Sequence, residues 1–200
     1  MIPGQVFSTA MFIAAGPTAA WFCAWVDRLG ESARVLEAGG QGGIGDGLTL
    51  LHLDAQTLLT APDGAVLRTS LEAARRRGAL ISIHLGEAEW IRAHGASRTA
   101  HELAAIRPDI LFAAEAAADE LAAPLEGLAT TPVRTLSSAG CAVYGRRLAA
   151  PAGSELDEVA LAAAFCVAYV EGAGPVEAAG RAVLVAARFP ATTVRGLQPE

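Results

Sequence analysis

The chain has 200 residues and a mass of 20.4 kDa, of which 52% are apolar and 18% charged, so it fits one globular domain and excludes a disordered or fibrous chain. Its 21 acidic and 15 basic residues give a net charge of −6, which excludes the basic surface that DNA or RNA binding needs. All basic residues are arginine, and the absence of lysine excludes both a P-loop and a Schiff-base enzyme.

Strands and helices are predicted to alternate along the chain. Apolar runs predict strands, and longer amphipathic or alanine-rich segments predict helices. The predicted strands are Gln5–Ala15, Ala33–Ala38, Leu48–Asp54, Ala79–His84, Asp109–Ala113, Pro132–Leu136 and Cys141–Tyr144. The predicted helices are Ala19–Leu29, Pro62–Arg77, Glu87–His94, Ser97–Ile106, Glu115–Ala122, Leu156–Val170 and Pro175–Arg188.

This alternation predicts an α/β fold in a single domain over residues 1–200. The sheet should be mostly parallel and covered by helices on both faces, which makes three α/β/α layers. Ligands of such sheets bind at the carboxyl ends of the strands. We therefore expect the chemistry to lie in the loops after Asp54, His84, Ala113 and Leu136.

The uncharged segment Val6–Val26 is long enough to cross a bilayer as a helix. Gly16-Pro17 interrupts it, however, and Met1–Gln5 offers no positive charge for a signal peptide. We therefore predict no membrane association, although a protein anchored through residues 6–26 remains an alternative. The three cysteines form no C-x-x-C pair and have apolar neighbours, which predicts buried thiols in a reducing, cytoplasmic setting.

Two further patterns are candidate sites. Gly40–Gly45 matches G-x-G-x-x-G, but a strand follows it where a dinucleotide site needs a helix, so a plain loop is favoured. Of the four histidines, His84 ends a strand just before Gly86 and is the best placed for a cleft, and His52 on another strand could approach it. No histidine spacing indicates a metal site, so none is predicted.

Several segments resemble the ribokinase-like (PfkB) carbohydrate kinase family. The clearest lies within Ser154–Ala187, where A-L-A-A-A-F-C-V-A-Y-V-E-G-A-G-P-V-E-A-A-G-R-A is similar to the helix after the family's D-T-x-G-A-G-D signature and the next helix. Shorter similarities are G-A-L-I-S-I-H-L-G at Gly78–Gly86, R-P-D-I-L-F-A-A-E at Arg107–Glu115 and R-T-L-S-S-A-G at Arg134–Gly140. Gly16–Gly30 is similar in length to the family's substrate-binding helix. The resemblance implies a chain shortened between Gly47 and Leu48, with the family's lid strands missing.

The resemblance also implies phosphoryl transfer from ATP, with magnesium, to a sugar or nucleoside hydroxyl. This chain departs from the family at the residues that would carry that reaction. Val159 stands at the position of the catalytic aspartate, and Leu156 and Glu158 replace the anion-binding glycines. The family's N-x-x-E motif aligns with Ala114–Ala117, where both ends are alanine. Its substrate-binding asparagine aligns with Trp21, so the polar groups of both motifs are lost.

We therefore expect a non-catalytic pseudokinase, with ATP and magnesium used only if the family's activity is retained. It would bind a small sugar or nucleoside, or serve as a dimeric scaffold. A homodimer is expected because missing lid strands would leave a sheet edge exposed. The alternative is a minimal ATP-dependent kinase with Asp157 or Glu158 as the base. The expected substrate-side residues are Gly16, His52, Asp54 and His84, and the expected remnant of a nucleotide turn is Ser137 and Gly140.

Overall fold

The computed structural model of the chain describes residues 10–36, 47–60 and 63–188. Eight strands form one sheet: β1 Met11–Ala15, β2 Ser32–Val35, β3 Leu48–Asp54, β4 Leu80–His84, β5 Ile110–Ala114, β6 Thr131–Thr135, β7 Gly140–Val143 and β8 Arg146–Ala149. Their order across the sheet is β2-β1-β3-β4-β5-β6-β7-β8. Strands β1 to β6 are parallel, and β7 and β8 continue the sheet as antiparallel strands.

Helices cover both faces of this sheet. They are α1 Ala19–Arg28, α2 Ala55–Leu59, α3 Asp63–Arg76, α4 Ala88–His94, α5 Ala96–Ile106, α6 Glu115–Glu120, α7 Glu158–Val170 and α8 Pro175–Arg188. On one face, buried side chains such as Phe12 and Phe112 pack against α1, α7 and α8. On the other face, Ile13 and Ile81 pack against α2 to α6. The predicted three-layer α/β/α architecture with a mostly parallel sheet is confirmed.

The sequence pattern did not predict two short elements, helix α2 and strand β8. In each case the cause lies in the element itself. Helix α2 has five residues and depends on the Asp54 side chain, which accepts a hydrogen bond from the Thr57 amide at its first turn. Strand β8 has four residues, two of them arginine, and lies at the sheet edge, where no apolar run is needed. Helix α7 begins at Glu158 instead of Leu156 because Asp157 caps it.

Residues 5–9 of the first predicted strand and the Gly40–Gly45 motif lie outside the described residues. The strand expected after that motif is present as β3.

The described part of the 6–26 segment folds into the domain. Met11–Ala15 is an interior strand of the sheet, and Ala19–Arg28 is a ten-residue helix packed on it. Among the residues that the structure describes, no helix is both long and apolar enough to cross a membrane.

Candidate functional site

The candidate site lies at the carboxyl ends of three parallel strands. Asp54 ends β3, His84 ends β4 and Thr135 ends β6, while Glu158 begins helix α7 next to them. Asp54 and His84 are register partners, so their side chains leave the same face of the sheet. This is the edge at which the sequence predicted the chemistry, and the structure brings Asp54, His84 and Glu158 together there.

His84 lies between two carboxylates. Its Nδ1 is 4.0 Å from Oδ2 of Asp54, and its Nε2 is 4.0 Å from Oε2 of Glu158. The Nδ1 atom is buried and has no hydrogen-bond partner. Both distances exceed the length of a direct hydrogen bond, and the unmet polar contact on the buried side is that of Nδ1.

Asp54 is held in place from two sides. Its Oδ1 accepts hydrogen bonds from the amide of Thr57 at 3.0 Å and from the Thr57 hydroxyl at 3.3 Å. On the other side lies Gly16, where a Cβ would come within 2.5 Å of the Asp54 Cβ. Gly16 therefore makes room for Asp54 through its lack of a side chain, and Oδ2 of Asp54 is left facing His84.

Glu158 turns its carboxylate toward the strand ends. Its Oε1 accepts a hydrogen bond from the Thr135 hydroxyl at 2.8 Å. The neighbouring His84 lowers the pKa of Glu158 below its usual range, with a further contribution from Thr135, against the opposing effect of burial. Glu158 is therefore an ionised hydrogen-bond acceptor near neutral pH.

Thr135 was missed in the sequence because the predicted strand ended one residue later, at Leu136. It is the last residue of β6, and it faces the same side of the sheet as His84.

His52 is buried in the core beneath this site and does not reach the strand ends. Its ring stacks on Phe22 with centroids 4.0 Å apart, and its Nδ1 is 3.0 Å from the Ser82 hydroxyl. Burial, with a smaller contribution from His84, lowers the pKa of His52 to about 3. His52 is thus a neutral core residue that supports the floor of the site.

Helix α7 has its first amides occupied by its own capping residue. Oδ1 of Asp157 accepts hydrogen bonds from the amides of Val159 at 2.8 Å and Ala160 at 3.0 Å. The Val159 side chain packs against the apolar core. Asp157 is buried and committed to the cap, so the amide cluster that could hold an anion is already filled by a carboxylate.

The turn between β6 and β7 contains Ser137 and Gly140. Ser137 is exposed and has a φ of 49°. Gly140 has a φ of 110°, and a Cβ there would come within 2.0 Å of the Leu148 carbonyl oxygen. The close approach of β8 therefore explains why a glycine is needed at position 140, and the explanation requires no bound nucleotide.

The residues at this edge of the sheet offer few groups that could bind magnesium or ATP. Ala114 and Ala117, at the end of β5 and in α6, offer no side-chain oxygen. Within the described ranges, no three His, Cys, Asp or Glu side chains converge so as to hold a metal ion. With the α7 amides capped as well, the residues present do not fit bound ATP and magnesium.

Two cavities lie near the sheet. One of about 320 Å³ is lined by residues that include Gly16, Thr57 and Leu36. A larger one of about 530 Å³ lies against β6 to β8 and α6, and Arg134, Tyr144 and Arg147 line it.

The three cysteines are buried and unpaired, as the sequence predicted. Burial raises the pKa of Cys23 and of Cys141 to about 11, and that of Cys166 to about 12. All three are therefore protonated thiols at neutral pH and poor nucleophiles.

Comparison with solved structures identifies the fold. The chain superposes on a probable sugar kinase from Rhizobium etli CFN 42 with a TM-score of 0.60 and 16% identity, covering 72% of this chain and 49% of that one. An adenosine kinase from Sinorhizobium meliloti gives a TM-score of 0.63 and 15% identity, with 89% and 71% covered. A fructokinase from Halothermothrix orenii gives a TM-score of 0.60 and 14% identity, with 86% of each chain covered.

These similarities show that the chain has the ribokinase-like fold of sugar and adenosine kinases, as the sequence resemblance implied. The chain spans about half the length of the Rhizobium etli protein. No protein-family model and no curated protein sequence matches the chain.

Proposed function

We propose that this protein is a non-catalytic member of the kinase-fold group that binds a small polar molecule, a sugar or nucleoside, in the cleft around His84. The observation that carries the proposal is the Asp157 cap, which fills the first amides of α7 with a carboxylate. In a phosphoryl-transfer site such amides must be free to hold the transferred phosphate. Val159 has an apolar side chain that packs against the core, and it cannot accept a proton in place of the family's aspartate.

The cleft keeps polar groups suited to a neutral or positively charged ligand. Asp54 and Glu158 each keep a carboxylate oxygen facing His84. Two negative charges so near the strand ends repel phosphates and favour hydroxyl or amino groups. This charge pattern supports ligand binding without a nucleotide.

Calorimetric titration tests this proposal directly. We expect the wild-type protein to bind a member of a sugar and nucleoside panel, and to bind neither ATP with magnesium nor ADP. Asp157→Ala frees the Val159 and Ala160 amides and should allow inorganic phosphate to bind weakly, whereas Asp157→Asn keeps the cap and should not. Substrate-dependent release of ADP by the wild-type protein would contradict the proposal.

A minimal kinase that uses Glu158 as its base is the second candidate. One observation favours it, namely that Glu158 directs an ionised carboxylate into the cleft. Its lowered pKa makes it a weaker base than a group titrating near neutral pH. If this candidate holds, ADP release occurs with the wild-type protein and falls by about 10²–10⁴ in Glu158→Gln.

The homodimer is proposed separately. Within the part of the chain that the structure describes, β2 and β8 each pair with one neighbour only and leave an edge open. A second copy would cover such an edge. Light scattering after size exclusion should give twice the chain mass of 20.4 kDa, and a monomer at all concentrations would contradict the dimer.

A further inference from the structure

The cavity of about 530 Å³ beside β6 to β8 has a row of side chains from three strands in its wall. Arg134 on β6 is the register partner of Ala142 on β7, and Ala142 is the register partner of Arg147 on β8. Directly opposed residues point to the same face of a sheet. Adjacent strands lie about 4.8 Å apart, so the two arginine backbones are about 10 Å apart. The small side chain of Ala142 leaves open space between them.

This row lies on the opposite face of the sheet from the cleft around His84. At that cleft the Thr135 hydroxyl donates to Glu158. Successive side chains of a strand alternate between the two faces, so the preceding Arg134 points away from the cleft. Its guanidinium pairs instead with Asp119 on α6. The cavity is therefore separate from the cleft.

The two arginines keep N–H groups that a ligand can use. Arg147 is exposed and, among the residues that the structure describes, forms no ion pair. Arg134 uses an Nη2 hydrogen for Asp119, but a guanidinium has further N–H donors and this side chain is 35% exposed. Guanidinium groups bind carboxylates through two parallel hydrogen bonds. The row therefore offers an anion a fork of donors from Arg147, with further donors from Arg134.

Tyr144 gives the same cavity an aromatic wall that is held in place. It is the first of the two turn residues between β7 and β8, and its φ of 50° is followed by 75° at Gly145. Such two-residue turns need positive φ at both positions, which is unfavourable for a bulky side chain. The Tyr144 hydroxyl donates to the Thr130 carbonyl at 2.8 Å and lies 3.2 Å from the Thr131 hydroxyl. These contacts orient the ring, although Tyr144 is 49% exposed.

Two carboxylates in the lining limit the charge of a ligand. Glu115 and Glu126 are exposed and line the cavity together with the two arginines. A single negative charge can bind a guanidinium here, whereas a phosphate dianion is also repelled by the two glutamates. The remaining lining is largely apolar and includes Pro124, Leu125 and Pro132. The lining therefore suits a monoanion with an apolar body.

We propose that this cavity is a second ligand site, which binds a small aromatic carboxylate. Arg147 and Arg134 hold the carboxylate above Ala142, and Tyr144 packs against the aromatic ring of the ligand. Leu125 and the prolines of the lining cover the rest of that ring. The site goes beyond the proposed function, which concerns only the cleft on the opposite face of the sheet.

Titrations of the full chain, followed by its backbone amide NMR shifts at pH 7.5, test the ligand class. The probes are benzoate, its neutral analogue benzamide, acetate and phenyl phosphate. We expect benzoate to bind about tenfold more tightly than benzamide, which lacks the charge, and more tightly than acetate, which lacks the ring. Phenyl phosphate should bind more weakly than benzoate. The shifts should be confined to β6 to β8 and residues 124–126.

Several results of these titrations would overturn the inference. They are no saturable binding of benzoate, equal affinities for benzoate and benzamide, tighter binding of phenyl phosphate, and shifts centred elsewhere in the chain. None of them bears on the proposed function, because the cleft around His84 is tested with sugars and nucleosides.

Two neighbouring arginines separate recognition from general charge attraction. Arg147→Gln removes the proposed fork and should weaken benzoate binding about tenfold. Arg146→Gln removes the same charge one residue earlier on β8. Arg146 is the register partner of buried Val143, so it leaves the other face of the sheet and its loss should not change the affinity. Equal affinities of the two variants would overturn the inference.

Ala142→Leu tests the space between the arginines without changing any charge. Ala142 is partly exposed in the cavity wall, so a larger side chain fills the cavity and leaves the buried core unchanged. Benzoate binding should be lost in this variant, whereas Ala142→Ser, which adds a single oxygen, should keep it. Unchanged binding in Ala142→Leu would show that the carboxylate does not lie above this position.

Discussion

At the scale of single residues, Gly16 shows how the backbone supports the cleft. It has a φ of 118°, and a Cβ would lie 2.5 Å from the Cβ of Asp54. We predict that Gly16→Ala lowers the free energy of unfolding by about 3 kcal/mol, from the backbone strain and the steric clash together. It should also weaken ligand binding, because Asp54 must move. Chemical denaturation and calorimetry measure the two effects.

Gly30→Ala is the matched control for this change. Gly30 also has a positive φ, 95°, but no atom lies within 4 Å of a Cβ built there. It should therefore lose only the backbone contribution of about 1 kcal/mol and leave ligand binding unchanged. Equal losses of stability in the two variants would show that the contact with Asp54 is unimportant.

The sequence predicted part of the site residue by residue. Asp54 and His84 were placed at the cleft because both end parallel strands, a rule that depends only on topology. His52 lies on the same face of β3 as Asp54, and the sequence pattern does not show that Phe22 stacks on its ring and buries it. The direction of Glu158 depends on a cap that fixes where α7 begins, which the apolar pattern located two residues too early.

At the scale of elements, helix α7 has the largest buried share of residues among the helices that the structure describes. It packs on the sheet next to α1 and α8, and Phe165 in its middle is fully buried against Phe112 and Tyr169. We predict that Phe165→Ala lowers the free energy of unfolding by about 3–5 kcal/mol through the cavity it leaves. On α8, Leu184 is 52% exposed, so Leu184→Ala should cost less than about 1 kcal/mol in the same urea titration. Comparable losses would mean that α7 does not form this core.

Elements with strong apolar patterns were predicted well, and short ones were not. Helix α7 and strand β5 have long apolar runs, and their main spans were found from the sequence. Strand β8 is stabilised by antiparallel pairing with β7, which requires Gly140 to admit the Leu148 carbonyl. Such a contact joins residues from two strands, so no local pattern in either segment indicates it.

At the scale of the whole molecule, buried His52 couples folding to pH. Its pKa is about 3 in the folded protein and near 6.5 when exposed. Between these values the unfolded chain binds more protons, so the free energy of unfolding falls as the pH is lowered from about 6.5 toward 3. Glu158 also makes the free energy of unfolding fall as the pH is lowered, but only in a more acidic range. Its ordinary pKa is 4.5, and its pKa in the folded protein is lower still.

His52→Gln isolates the histidine contribution, since an amide can still reach the Ser82 hydroxyl but does not titrate. We predict that between pH 6.5 and 5 its free energy of unfolding falls less steeply than that of the wild-type protein, by up to about 1.4 kcal/mol per pH unit. Urea titrations across this range measure the slope, which is independent of any constant loss from the substitution itself. His101→Gln is the control, because His101 is exposed on α5 and should leave the slope unchanged. An identical slope in His52→Gln and the wild-type protein would mean that His52 takes up its proton without unfolding the core.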